Sequence, residues 1–252
     1  MACRENIIIM LSKSKIKYIQ TLGQKKFRQE EGLFIAEGPK LADELIGADN
    51  VAVSEIFALP EWIEQKKIPP GISCTPVTGD ELKKISQLST PNQVLVVVKQ
   101  FTVSPEPSAK GTVILALENI QDPGNLGTII RIADWFGIAQ IVCSPGTADL
   151  YNPKVVQATM GSILRVGLHY LDLVSWISSQ GKVPVCAATL DGSDIRSVSP
   201  LKEGIIIIGN ESKGISPVLQ RLASSCITIS RKGQAESLNA AVATGIILSH
   251  LT

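Results

Sequence analysis

The sequence predicts an α/β protein in two parts: a parallel sheet covered by helices in the second half, preceded by a smaller α/β module. Three observations carry that expectation. From residue 112 onward, short apolar segments alternate with stretches of helical periodicity, and those apolar segments run continuously instead of alternating with polar residues. The segment FTVSPEPSAKG (101–111), with two prolines and several small residues, separates this regular half from a less regular beginning. Strands apolar on both faces belong to sheets enclosed by helices, and alternating β and α builds a parallel sheet. Proline- and glycine-rich breaks mark domain boundaries. The expected division is 1–100, a linker at 101–111, and 112–252.

In chain order, LFIAEG, VSEIFAL and QVLVVVKQ between residues 33 and 99 have the length and β-branched content of strands, while PKLADELI and DELKKIS have helical periodicity. Beyond the linker, TVILALEN (112–119) reads as a strand, Gly124 to Phe136 as a helix that Gly137 stops, AQIVCS (139–144) as a strand, and Pro153 to Leu164 as a helix. VGLHYL, VPVCAAT, GIIIIGN and CITIS continue as strands, with helices near 173–179, 216–223 and 237–250. The last helix is apolar nearly all round, which predicts burial on more than one side.

The 252 residues include 24 basic and 23 acidic side chains, a net charge of +1, and 44% are apolar. This is a globular composition with enough chain to bury a core, which excludes a disordered chain or a stapled mini-protein. The longest apolar runs, such as Ile205 to Ile208, fall far short of the ~20 residues that span a bilayer. At the N-terminus the apolar patch Ile7 to Leu11 is shorter than the roughly 7–15 residues of a secretory segment, so a cytoplasmic location is expected. The stub before Met10 reads as an upstream extension, with Met1 and Met10 as alternative starts. Five scattered cysteines (Cys3, Cys74, Cys143, Cys186, Cys226) form no C-x-x-C pair, and His169 and His250 have no carboxylate at ligand spacing, so neither disulfides nor a metal are expected.

Between Leu11 and Arg28 stand six basic residues, Lys13, Lys15, Lys17, Lys25, Lys26 and Arg28, with no acid and with Tyr18 and Phe27 interleaved. Taken alone, a solvated helix face and a phosphate-binding surface explain such a block equally well. Ligands of parallel sheets bind beyond the carboxyl ends of the strands. Three loops there, ENIQDPGNLG, GNESKGIS and SRKGQAESLN, are rich in glycine, asparagine and acidic or hydroxyl groups, which let a backbone turn sharply and meet polar ligand edges. Gly209 to Ser216 has the outer spacing of a Walker A loop, but Ile215 stands where the lysine must be. Gly124 to Gly127 lacks the first glycine of a dinucleotide fingerprint. A nucleoside held in another way remains open.

ENIQDPGNLGTIIRIADWFG (118–137), NPKVVQATMGSILR (152–165), IIIIGNESKGIS (205–216) and ISRKGQAESLNAAVATGIIL (229–248) resemble, in order, the motifs of the SpoU/TrmH family of the SPOUT superfamily. The resemblance implies an S-adenosylmethionine-dependent RNA ribose 2′-O-methyltransferase with a deep trefoil knot in 112–252 and a homodimer formed through that knotted domain. KIKYIQTLGQKKFRQEEGLFIAEGPKLADELI is similar to the opening of the L30e-like RNA substrate-binding module of many members, which moves Lys13, Lys15, Lys17, Lys25, Lys26 and Arg28 toward RNA. By the same resemblance the cofactor pocket comprises Gly209, Asn210, Glu211, Gly214, Ile229, Ser237, Leu238 and Asn239. The catalytic group comprises Asn125, Arg131, Glu211, Ser237 and Asn239, with Arg131 clamping a phosphate and activating the hydroxyl. Ribosomal RNA is the favoured partner, with transfer RNA methylation or a non-catalytic RNA- and cofactor-binding module as alternatives. Two departures stand out: Ile229-Ser230-Arg231 replaces the usual I-P-M, and Gln157 replaces a frequent arginine.

Overall fold

The structure, a computed structural model, describes residues 11–102 and 105–252; Cys3, Met1, Met10 and most of the apolar patch at the N-terminus lie outside the described residues, as do Val103 and Ser104 of the expected linker. The elements run α1 (Lys13–Thr21), α2 (Lys25–Glu31), β1 (Leu33–Glu37), α3 (Pro39–Ile46), β2 (Val53–Ala58), α4 (Pro60–Glu64), β3 (Ser73–Pro76), α5 (Gly79–Ile85) and β4 (Val94–Lys99). They continue with β5 (Val113–Leu117), α6 (Pro123–Trp135), β6 (Gln140–Cys143), α7 (Pro153–Thr159), β7 (Gly167–Tyr170), α8 (Leu173–Ser179) and β8 (Val185–Asp194). The last are β9 (Gly204–Ile208), α9 (Pro217–Leu222), β10 (Ser225–Thr228) and α10 (Ala240–Leu251). The chain forms two compact units, one of residues up to 102 together with 151–161, the other of 103–150 and 162–252.

The first unit holds a four-stranded sheet ordered β1-β4-β2-β3, antiparallel except for the β2–β3 pair. Its strands alternate between two faces. On one, Ile35, Phe57, Leu95 and Val97 pack under Ile19, Leu22, Leu82 and Ile85. On the other, Phe34 meets Tyr151 at 4.8 Å and Phe101 at 5.6 Å between ring centroids, which draws 151–161 into this unit although the sequence groups it with 112–252. The helix expected over 153–164 ends at Thr159. Met160 (φ 50°) and Gly161 (φ 95°) turn left-handed, and a 3₁₀ turn, Ser162–Leu164, follows. The short α4 and β3 have no counterpart among the expected elements.

The second unit is a six-stranded, wholly parallel sheet ordered β10-β8-β9-β5-β6-β7. Every residue of β5 and β9 is buried, which is why these strands read as unbroken apolar runs. Residues 107–111 of the expected linker pack onto this unit: Trp176 Nε1 donates to Pro107 O at 3.0 Å, Ala109 N to Gln180 Oε1 at 2.9 Å, and Gly111 N to Glu203 Oε2 at 2.7 Å. The last helix starts at Ala240 because the Asn239 side chain caps it, accepting from Ala241 N and Val242 N. Its expected burial on several sides is not met within the chain: Val242 and Ile246 stay exposed while Thr244, Ile247, Leu248 and Leu251 are buried. No described helix is long and apolar enough to cross a membrane.

Candidate active site

Strand order reverses around β5: β6 and β7 lie to one side, β9 and β8 to the other. In an open parallel sheet the crevice at such a switch point takes the ligand, and here it opens between the loops leaving β5 and β9. After β5, Asn119 adopts φ 55°, tolerable for asparagine, and Asp122 caps α6 by accepting from Asn125 N at 2.8 Å. After β9, Gly209 lies so close to Gly214 that an added Cβ would stand 2.4 Å from its backbone, and Asn210 and Gly214 exchange backbone hydrogen bonds of 3.1 and 2.8 Å. Asn210 Oδ1 accepts from Ser212 N and Lys213 N, while its Nδ2 donates to Asn119 O at 2.8 Å. Glu118 Oε2 accepts from Ser216 N at 2.7 Å, so the β5 loop holds both ends of the β9 loop.

Three predicted residues, one from the first turn of α6 and two from separate loops, meet in one hydrogen-bonded chain. Asn239 Nδ2 donates to Asn125 Oδ1 at 2.8 Å, and Asn125 Nδ2 donates to Glu211 Oε1 at 2.6 Å. Each asparagine amide is thereby fixed in orientation, and one carboxylate oxygen of Glu211 is occupied. Arg131, further along α6, is exposed, and no described residue pairs with its guanidinium. Ser237 and Leu238 lie in the exposed stretch 230–239 and form no hydrogen bond with another described residue; Ile229 stands half-buried just past β10. The Ser230–Arg231 departure has its own anchorage, since Ser230 Oγ donates to Asp194 and Arg231 Nη1 donates to Ala235 O at 3.1 Å. Hydrogen bonds from Arg196, then from Ser230, hold the Asp194 carboxyl well below the usual carboxylate range.

The fit of an adenosyl ligand rests on the donor set at these strand ends. Thr189 lies two residues past the last β8–β9 pair, Ala187 with Ile207, in the bulge of β8 between the residues paired with Cys226 and Ile227, Ala187 and Ser193. Its hydroxyl is buried without a partner among the described residues, an acceptor and donor that a bound polar ligand would satisfy. Sequence reasoning missed Thr189, Glu118 and Asn119. For Glu118 and Asn119 the signal was present, since E-N opens the loop ENIQDPGNLG.

Within the basic block the structure corrects two assignments. Arg28 is 2% exposed, with Nη1 donating to Leu22 O at 3.0 Å and to Gly23 O at 2.8 Å, so it fastens the turn between α1 and α2 and is inaccessible to RNA. Lys15 pairs with Glu55 at 2.6 Å and lies over the Tyr18 and Phe57 rings, so its charge is already shared with a carboxylate. Lys13, Lys17, Lys25 and Lys26 are exposed; among the described residues only Lys26 has an acidic ion-pair neighbour, Glu30 at 3.9 Å.

A parallel α/β sheet that presents glycine and asparagine loops at its switch point is the framework of a nucleoside-binding protein. Residues 112–249 match the SpoU rRNA Methylase family, and the chain belongs to that family. Residues 13–96 match the MRM3-like substrate binding domain. Along its length the chain is 30% identical over 240 residues to the 23S rRNA (guanosine(2553)-2'-O)-methyltransferase RlmP of Bacillus subtilis, covering 94% of this chain and 95% of RlmP. The AdoMet-bound rRNA methyltransferase of Sinorhizobium meliloti superposes with a TM-score of 0.84 at 32% identity, covering 96% of each chain. A TrmH-family protein of Porphyromonas gingivalis gives a TM-score of 0.84 at 34% identity, covering 96% of this chain and 98% of its own.

Proposed function

We propose that the protein methylates a ribose 2′-hydroxyl of ribosomal RNA, with S-adenosylmethionine as donor. The observation that carries the reading is the Asn239–Asn125–Glu211 chain, which gathers three motif loops at one strand edge beside an unpaired arginine on the same helix as Asn125. S-adenosylmethionine, when bound, supplies a methyl on a sulfonium centre with a good neutral leaving group. The residues that would hold it are Gly209, Asn210, Glu211, Gly214, Ile229, Ser237, Leu238 and Asn239, joined by Thr189. What is left to the protein is alignment and help in removing the hydroxyl proton. A guanidinium with pKa above about 12 clamps phosphate well and is a weak base, so Arg131 binds the phosphate next to the target ribose and polarises its 2′-oxygen. Asn125, fixed by Glu211 and Asn239, orients that oxygen, and Ser237 closes the cofactor side.

The finer architecture belongs to the same proposal: a trefoil knot in the second unit, an L30e-like first unit that carries RNA on Lys13, Lys17, Lys25 and Lys26, and a homodimer. Exposed apolar Trp135 on α6 and Val242 and Ile246 on α10, helices that pack together, support a second copy covering them. Free Cys74, Cys143, Cys186 and Cys226 accord with a reducing cytoplasm. The test is transfer of labelled methyl from S-adenosylmethionine into ribosomal and transfer RNA from cells lacking the gene. Label in ribosomal RNA that leaves an alkali-resistant linkage is expected. Label in transfer RNA alone would correct the substrate, and cofactor binding without transfer would reduce the protein to a binding module.

A further inference from the structure

The first unit contains a loop whose construction exceeds what a connection between α5 and β4 needs. Glu37, 5% exposed at the end of β1, accepts from Ser86 Oγ at 2.5 Å and from Gln87 N at 2.8 Å. Burial pushes this carboxyl above its ordinary range against the pull of those hydrogen bonds, so an ionisable group sits in an unfavourable place to fix the start of the loop. The far end is fixed as well: Leu59 N donates to Gln93 O at 2.8 Å, Gly38 N donates to Val94 O at 2.9 Å, and Gln93 is held at φ 56°. Between these anchors, Gln87, Ser89, Thr90, Asn92 and Gln93 are exposed, and none of their side chains bonds to a described residue.

The surroundings are basic. Gln20 Nε2 donates to Lys84 O at 2.7 Å, which sets the last turns of α1 and α5 side by side, and Lys17, Lys83 and Lys84 on these helices are exposed without an ion-pair partner among the described residues. Gln87 lies over the α1–α2 turn, since a Cβ on Gly23 would come within 2.5 Å of its Oε1. The buried Arg28 fastens this same turn. A run of amides and hydroxyls anchored at both ends matches the edges of unpaired bases and the 2′-hydroxyl, and neighbouring lysines without an ion-pair partner among the described residues match phosphates. The loop exposes none of the large apolar side chains that the core of a protein interface requires.

We propose that residues 87–93 read unpaired nucleotides of the RNA substrate, held in place by Glu37 as a positioning residue and flanked by a phosphate-binding strip of Lys17, Lys83 and Lys84. The proposal rests on the RNA-methylating reading and assigns it a specificity element. Phosphate contacts position a nucleic acid and base contacts specify it, so the two groups separate experimentally.

The full-length chain is titrated with a 23S rRNA transcript and with a random-sequence RNA duplex of equal length, across a salt series. Combined Gln87→Ala, Thr90→Ala and Asn92→Ala is expected to weaken transcript binding about tenfold, with duplex binding and the salt dependence little changed. Combined Lys17→Gln, Lys83→Gln and Lys84→Gln is expected to weaken both RNAs and to lower the log–log salt slope by roughly two to three. Glu37→Gln, which retains an acceptor oxygen, should lose part of the discrimination with S-adenosylmethionine affinity unchanged, whereas a merely structural Glu37 would move stability alone. Equal loss on both RNAs in the loop variant would overturn the reader. Intact discrimination in the loop variant beside a weakened lysine variant would also overturn it, with the RNA reading still standing. Failure of the wild-type chain to bind either RNA would sink both.

Discussion

The two units handle charge in opposite ways. Among the described residues, the buried charged side chains Arg28, Glu37 and Glu81 all lie in the first unit, and each holds backbone or hydroxyl groups of a turn, a loop or a cap. In the second unit the buried polar groups are hydroxyls and His169, while Glu211, Asn125, Asn239 and Arg131 stand at the open strand edge. Buried ions shape a surface; accessible ones act on a ligand. The same residue type therefore carries different meaning in the two units, and Arg28 and Arg131 illustrate it.

The comparison breaks most visibly at Arg28. Arg28→Met should cost about 3 kcal/mol of unfolding stability by leaving the Leu22 and Gly23 carbonyls without their donor, read as a lower midpoint in denaturant, with S-adenosylmethionine affinity unaltered. Gly209→Ala should do the reverse. With a Cβ driven against the Gly214 backbone, about 2 kcal/mol of loop geometry is lost, on the order of 30-fold in S-adenosylmethionine affinity by calorimetry, at little cost in stability. Smaller still, Asn125→Ala leaves Glu211 and Asn239 without their shared partner and should weaken cofactor binding by up to about tenfold.

The smallest effects are in pH dependence, and their signs oppose each other. Hydrogen bonds from Thr78 and Leu11 hold Glu81 below its ordinary 4.5, so its contribution is present above that pH and fades as pH falls through the lowered value. Burial raises Glu37 above 4.5, so its contribution is full below that pH and is lost as pH rises through the raised value. In urea titrations at stepped pH, Glu81→Gln should flatten the acid limb, and Glu37→Gln should flatten the limb above 4.5.

The regular half of the fold was legible because its strands are buried on both faces: Ile205 to Ile208 reads as a central strand, and the helix expected from Gly124 to Phe136 is α6, which starts one residue earlier, at Pro123, behind the Asp122 cap. The hydrogen-bonded trio Asn125, Glu211 and Asn239 was legible through the family motifs. Positions governed by tertiary contacts were not. Arg28 reads as a surface residue because arginine is rarely buried, and only the folded turn reveals the two carbonyls that it serves. The break at Met160 and Gly161 hides in a helical pattern because methionine rarely turns left-handed. Thr189 escapes notice because a lone threonine within a strand has no signature until its hydroxyl is found buried without a partner among the described residues.

The central claim is that Arg131 acts on the target ribose while the Asn125–Glu211–Asn239 chain orders the site around it. Single-turnover methyl transfer to ribosomal RNA, at saturating RNA and S-adenosylmethionine, compares wild type with Arg131→Ala and Arg131→Lys. The expected result is alkali-resistant ribose label in wild type and a loss of about 10²–10³-fold in Arg131→Ala, with cofactor affinity retained and only partial recovery in Arg131→Lys. A near-normal rate in either variant with unchanged RNA affinity, or label on the base, would contradict it.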